Sequence, residues 1–479
     1  MSYGIYVGKN LTADGIAYLA GYGDEPSSHS LEIVPRRHHG PGKTMTVGVT
    51  PSAEMPGLLS EIPQATETAR HLCVNYSYYL GAPAPLTNGG LNEYGVAVRD
   101  VWSPSRLELR NMTPTTQIGP NYSNLARIVL ERAQTAREGV LLIGDLIAQY
   151  GYSTYGGNSH IIADPDGAWV VIEFAGGQGL WVAERLSPDS IRASRPGYIN
   201  EIDLDDSSQN DYLYAPNLVS FAVSQGWYDP DGSVPFNVND IFGDGKHRWA
   251  GVEWIEGEMT RRATQPEKVT IEDMMWSIRT EKLTGDSAGY GQIVPLFHPK
   301  HSELRHIWHT QIGAVAAPFV PVYMGCEKIP EEFLSHRYLT VSESSRFCEI
   351  HHLTEGDATS VSTVPRGIES TRSATAVFKR LMYLVLQHSE KFLPEITEVW
   401  NALEQRLLNE NSDVLQVAET LLDANKSELA RQQLTYYSIT ELLNALNLAD
   451  TLAHSIEART RILYGISHDK EHKTPEQIW

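Results

Sequence analysis

The chain opens on two short runs of β-forming residues, SYGIYVG at 2–8 and GIAYLAG at 15–21, separated by the polar turn Thr12-Ala13-Asp14. Glycine boundaries and turn residues between such runs predict an antiparallel hairpin. Further strands are predicted at 95–98 (GVAV), 160–163 (HIIA) and 169–174 (WVVIEF), the last two joined by Asp164-Pro165-Asp166-Gly167. Between them, apolar residues recur at helical spacing: Leu125, Ile128, Val129 and Ala133, then Val140, Ile143, Leu146 and Ile147. The interruption at Thr135-Ala136-Arg137-Glu138 predicts two consecutive helices rather than one.

Residues 200–290 mix Asp/Gly/Pro-rich loops with shorter helical patterns. The apolar stretch IGAVAAPFVPVYM at 312–324 contains two prolines, which exclude one straight helix, so a buried strand or extended core segment is expected. From about 370 the pattern changes to long amphipathic runs such as VFKRLMYLVLQHSEKF and ELLNALNLADTLAHSIEARTRIL. These observations predict an α+β fold with a core over 1–369 and a mostly helical C-terminal region over 370–479 packed on it.

Composition adds constraints. In 479 residues, 41% hydrophobic and 20% charged, there is ample material for a packed core, which excludes a disordered or low-complexity chain. The balance of 38 Lys plus Arg against 59 Asp plus Glu gives a net charge of −21, a field that repels phosphate backbones and anionic lipid, so neither nucleic acid nor a membrane is an expected partner. Three widely separated cysteines, Cys73, Cys326 and Cys348, fit buried thiols better than a disulfide framework. The first thirty residues lack a basic region followed by an apolar run, and a cytoplasmic location is expected.

The 17 histidines raise the question of a metal. His306 and His309 have a spacing that one helix face would bring together, and His38-His39 and His351-His352 are adjacent pairs. None has the accompanying carboxylate or thiolate spacing of a known site. Phosphate-binding glycine motifs and HExxH are missing, so no metal and no cofactor are expected.

The remaining candidate is the N-terminus. Ser2 follows Met1, and a mature chain beginning with Ser can use its hydroxyl as nucleophile and its own α-amine as general base. An α-amine titrates near 7.7–8.0, so a fair fraction is neutral near pH 7.

The string Ser2-Tyr3-Gly4-Ile5-Tyr6-Val7-Gly8-Lys9, then Thr12-Ala13-Asp14-Gly15, resembles the opening of the cysteine-type dipeptidases related to dipeptidase A of lactic acid bacteria. These are N-terminal nucleophile (Ntn) hydrolases, more distantly related to secernins and choloylglycine hydrolases. Further similar segments are Leu91-Asn92-Glu93-Tyr94-Gly95-Val96-Ala97, Ala133 to Gly139 running on to Gln149-Tyr150-Gly151, His160 to Asp164 with Trp169 to Glu173, and Ile312 to Tyr323. The likeness runs along most of the chain. It implies a four-layer αββα sandwich whose first strand presents the N-terminal residue between the sheets, and hydrolysis of the amide bond in dipeptides or small N-acyl amides.

Carried over residue by residue, the resemblance makes Ser2 the counterpart of the family's nucleophilic Cys, a weaker and less acidic group. Asp24 fits the Asp that holds the free amine, while Gly21 stands where relatives carry Arg. Asn92 is a candidate oxyanion donor, its alternative being a turn-capping role before Gly95. Arg248 resembles the Arg that closes the active site. Arg195 is a candidate for the substrate carboxylate, with Asn158 and Tyr22 as further substrate-binding candidates. Tyr3, Tyr6, Tyr18 and Tyr22 would line an aromatic pocket or simply pack the hairpin. Two other readings stay open: a catalytically silent member that binds a small ligand, Ser2 being natural or a replaced Cys, and an acylase or amide-forming enzyme of specialised metabolism. The sequence also leaves room for a homo-oligomer.

Overall fold

The computed structural model describes residues 2–23, 29–76, 79–194, 196–205, 210–246, 248–285, 288–313, 315–334 and 372–465. Asp24, Arg195, Cys348, His351 and His352 lie outside these residues.

The strands are β1 (Tyr3–Val7), β2 (Ala17–Gly23), β3 (His29–Val34), β4 (Arg37–His38), β5 (Thr44–Val47), β6 (Ser60–Pro63), β7 (Glu67–Thr68), β8 (His71–Tyr76), β9 (Leu86–Asn92), β10 (Ala97–Trp102), β11 (Asn158–Asp164), β12 (Gly167–Glu173), β13 (Trp181–Leu186), β14 (Ile191–Ser194), β15 (Tyr212–Tyr214), β16 (Tyr290–Leu296), β17 (His306–Gln311) and β18 (Val320–Tyr323). The helices are α1 (Leu107–Met112), α2 (Tyr122–Arg132), α3 (Ala136–Tyr150), α4 (Leu218–Ser224), α5 (Val238–Phe242), α6 (Ala250–Ala263), α7 (Ile271–Arg279), α8 (Ala374–Leu386), α9 (Ser389–Asp423) and α10 (Ser427–Tyr464).

Two antiparallel sheets form the centre. One has six strands in the order β14-β1-β2-β16-β17-β18, the other eight in the order β15-β13-β12-β11-β10-β9-β8-β3. They meet face to face, β1 and β2 against β10 and β17 against β9. Helices α2 and α3 cover the outer face of the eight-stranded sheet; α6, α7 and the C-terminal helices α8, α9 and α10 cover the six-stranded one. This is the expected αββα arrangement, and it follows from the strands: with both faces covered, β1, β2, β9, β11 and β16 are buried along their whole length.

Local chemistry sets the elements as the pattern implied. The predicted N-terminal hairpin pairs Tyr3 with Tyr22 through Val7 with Tyr18. Thr135 breaks the helical stretch by capping α3, its hydroxyl accepting from the Glu138 N–H at 3.1 Å. In the β11–β12 turn, Asp164 Oδ1 accepts from the N–H groups of Asp166 and Gly167, while Oδ2 accepts from the Ala136 N–H at 2.6 Å and ties the hairpin to the start of α3. The C-terminal helices dock through a buried ion pair between Arg279 at the end of α7 and Glu404 in α9, whose carboxylate also accepts from the Phe319 N–H.

One expectation changes. His306 and His309 lie in β17 rather than on a helix, and an odd separation in a strand sends their side chains to opposite faces, so they cannot share a metal. The apolar stretch at 312–324 is a buried core segment as expected, its described residues all buried and Val320–Tyr323 strand, and Ile312, at φ 63°, turns the chain out of β17. Among the described residues, no helix is long and apolar enough to cross a membrane, and no three His, Cys, Asp or Glu side chains converge as metal ligands would.

Candidate active site

Alternation along β1 and β2 sorts their side chains into two sets. Tyr3 and Tyr22 are directly paired and face the helical layer, where their rings lie 5.5 Å apart and the Tyr22 hydroxyl donates to the Leu283 carbonyl at 2.6 Å. Gly4 and Gly21, the next pair, face the other sheet. A Cβ on Gly4 would stand 3.1 Å from Ile161 Cδ1 of β11, and one on Gly21 would stand 2.9 Å from Arg99 Nε of β10. Ser2 is buried and sits one residue before β1, so the alternation places it on the face it shares with Gly4. Ser2 thus faces the space between the sheets.

Register carries that face across the six-stranded sheet. Ser194, Gly4, Gly21, Gln292 and His309 form one continuous row of directly paired residues on β14, β1, β2, β16 and β17. The row is polar yet wholly buried. His309 donates from Nε2 to Gln311 Oε1 at 3.2 Å, and burial lowers its pKa to about 4, so its ring is neutral near pH 7. In the adjacent row, Tyr290 pairs with Gly23 and reaches across to the eight-stranded sheet, where its hydroxyl donates to Asn88. Asn88 lies at a register shift between β8 and β9, the kind of irregularity that re-aims a side chain.

Arg99 comes from the opposite side. It is fully buried, donates from Nη1 to the Tyr290 hydroxyl at 2.6 Å, and lies 4.9 Å from the centre of that ring. Its Nε and Nη2 have no partner among the described residues. Glycines at 21 and 89 make room for it, since a Cβ on Gly89 would stand 2.6 Å from Nη1. Sequence reasoning missed Arg99. The available signal was a lone cation within the otherwise apolar start of a strand, Val96-Ala97-Val98-Arg99.

The other candidates are placed differently. Asn92 donates both amide N–H groups to carbonyls at the end of α2, Leu130 at 3.2 Å and Ala133 at 2.7 Å, while its Oδ1 accepts from the N–H groups of Tyr94 and Val96. Its donors are taken up by the end of α2 and its acceptor by the β9–β10 turn, the turn-holding alternative to an oxyanion role. Asn158 accepts from the Tyr155 hydroxyl at 2.8 Å and stands three residues from Ile161, on the opposite face of β11 from the space between the sheets. Tyr22 faces the helices, as described, because it alternates with Gly21. Neither joins Ser2. Arg248 pairs bidentately with Glu256, and both side chains bond the backbone of Ala193, the β14 residue opposite Ile5. It therefore clamps the edge strand beside β1.

Residues 94–250 match peptidase family C69. A probable dipeptidase of Salmonella dublin is 36% identical over 116 residues, 24% of this chain and 25% of that protein. Probable dipeptidase B of Streptococcus pyogenes serotype M3 is 27% identical over 213 residues, 42% of this chain and 39% of that protein. Over these stretches the chain is similar to dipeptidases of peptidase family C69. The matched stretches span only a quarter to two-fifths of these dipeptidases, less than the likeness read along the sequence. Among solved structures, a conjugated bile acid hydrolase from Clostridium perfringens aligns over 68% of this chain and 92% of its own at 12% identity, with a TM-score of 0.29.

Proposed function

We propose that this chain hydrolyses the amide bond of dipeptides or small N-acyl amides with Ser2 as an N-terminal nucleophile. The observation that carries the reading is the place of Ser2: buried, at the head of β1, on the face turned to the space between the sheets, with a polar row beside it. With Met1 removed, the Ser2 hydroxyl attacks the amide carbonyl while its own α-amine takes the hydroxyl proton and returns it to the leaving amine. Water then attacks the resulting ester, and the acid leaves as the hydroxyl is restored. Relationship to the C69 dipeptidases supports the same reaction class.

The test combines intact mass with turnover. Loss of one methionine, together with dipeptide hydrolysis that Ser2→Ala abolishes, bears the reading out. A retained Met1 blocks the base, and absence of hydrolysis in a Met1-free protein favours the silent ligand-binding reading, to which the commitment of Asn92 to its turn lends weight.

A further inference from the structure

A buried guanidinium is costly unless its charge and its N–H groups are met. Among the described residues Arg99 meets neither condition: one N–H goes to a neutral phenol, Nε and Nη2 have no partner, and no carboxylate pairs with it. Around it, the row opposite contributes more buried polar atoms without partners, namely the Ser194 hydroxyl and both amide atoms of Gln292. Gln292 and Ser194 flank Gly21 and Gly4 in register, and Gly21 is the residue Arg99 touches. Native interiors hold few such atoms, and a group of them on one face calls for a polar occupant.

Position relative to Ser2 gives that occupant a role. Ser2 lies one step beyond the Tyr3–Tyr22 pair, which sets it against Gly23 and makes Gly21 its diagonal neighbour on the same face, about 7–8 Å away. That is the span of about one residue of substrate. We propose that Arg99, assisted by Gln292, the direct neighbour of Gly21, is the subsite for a carboxylate carried by the amide substrate next to its scissile bond. Two parallel N–H donors on a planar guanidinium match a carboxylate's two oxygens, and the surrounding low dielectric strengthens the pairing. The substrate class narrows accordingly to amides with a free carboxylate, which excludes esters and amides of that acid. This rests on Ser2 being the reacting residue.

The experiment measures binding, so that it does not depend on turnover. Ser2→Ala protein is titrated calorimetrically with Ala-Ala and with Ala-Ala amide. Ala-Ala is expected to bind at least tenfold more tightly. Adding Arg99→Met should remove that preference by weakening Ala-Ala at least tenfold, with Arg99→Lys intermediate because Lys supplies charge without the paired donors. Gln292→Leu should weaken Ala-Ala several-fold. Melting temperatures of Arg99→Met and Gln292→Leu should equal or exceed the parent's, because unpartnered buried polar groups are replaced by apolar ones. Equal binding of the two probes, binding of neither, or undiminished Ala-Ala affinity with Arg99→Met would each overturn the subsite. Should Arg99→Met fail to fold, Arg99→Lys and Gln292→Leu decide. If Ser2→Ala keeps hydrolysing while the carboxylate preference depends on Arg99, the nucleophile assignment fails and the subsite stands.

Discussion

Arg99 and Gly21 touch across the two sheets: the guanidinium of β10 fills the place a side chain on β2 would take. The pair fixes the spacing of the sheets next to Ser2, and it requires position 21 to have no side chain. A cation arriving from one sheet and a glycine yielding on the other form a single packing unit.

That unit predicts the outcome of Gly21→Ala. Its Cβ would stand 2.3 Å from the Tyr3 carbonyl oxygen and 2.9 Å from Arg99 Nε, so the strand pair must shift. Overpacking of this kind costs about 1–3 kcal/mol. Urea unfolding should show that loss for Gly21→Ala, whereas Gly167→Ala, whose Cβ meets nothing within 4 Å, should unfold nearly as the parent does. Equal stability of the two variants would refute the contact.

At the N-terminus, Ser2→Ala should abolish dipeptide turnover. Ser2→Cys should keep or raise it, since a thiol is the better nucleophile near neutral pH. Initial rates on an Ala-Ala substrate, read beside intact mass to establish loss of Met1, check both. Full activity in Ser2→Ala would end the nucleophile assignment.

Stability should fall with rising pH because of a buried pair beneath α2. His160 Nδ1 lies 2.8 Å from Glu173 Oε1, and His160 Nε2 donates to the Tyr122 carbonyl at 3.0 Å. Burial alone would lower the His160 pKa, but the charge and hydrogen bond of Glu173, with Asp100 nearby, outweigh it and raise the value; burial likewise raises Glu173 against the opposing pull of His160. Both shifts mean that the folded state holds protons more tightly than the unfolded one. The His160 contribution is therefore complete below the ordinary imidazole value near pH 6.5, that of Glu173 only below the ordinary carboxyl value near 4.5, and each is lost as pH rises through the folded value. Melting temperature measured from pH 6 to 9 should decline in the wild type. The decline should be shallower in a His160→Gln, Glu173→Gln double variant, and identical slopes would exclude the pair as its source.

The C-terminal helices should loosen when Arg279 is removed. Arg279 donates to Glu404 and Asn401 of α9, and Glu404 also receives the Phe319 N–H. Arg279→Met leaves the Glu404 carboxylate buried without its cation, a loss of about 3–5 kcal/mol. Adding Glu404→Gln should recover part of it, because the neutral amide still accepts from Phe319. Denaturant unfolding of both variants measures the difference, and a single variant as stable as the parent would contradict it.

Much of this protein was legible in its sequence because the determining interactions are local. The hairpin at β1 and β2 follows from Gly boundaries, the α2–α3 break from the Thr135 cap, and the β11–β12 turn from Asp164, each within a few residues of the feature it creates. Segments resembling the dipeptidases likewise pointed to the αββα sandwich and to Ser2. Tertiary structure alone decided which polar residues share a space with Ser2. Asn92 and Asn158 stand next to similar segments yet turn away, because a strand residue's face depends on its register and not on its neighbours in sequence. Arg99, Gln292 and Ser194 lie about one to three hundred residues from one another or from Ser2 along the chain and read as unremarkable strand residues. Only the pairing of five strands and the apposition of a second sheet set them on one buried face, where long-range burial, not local propensity, gives a guanidinium its need for an anion.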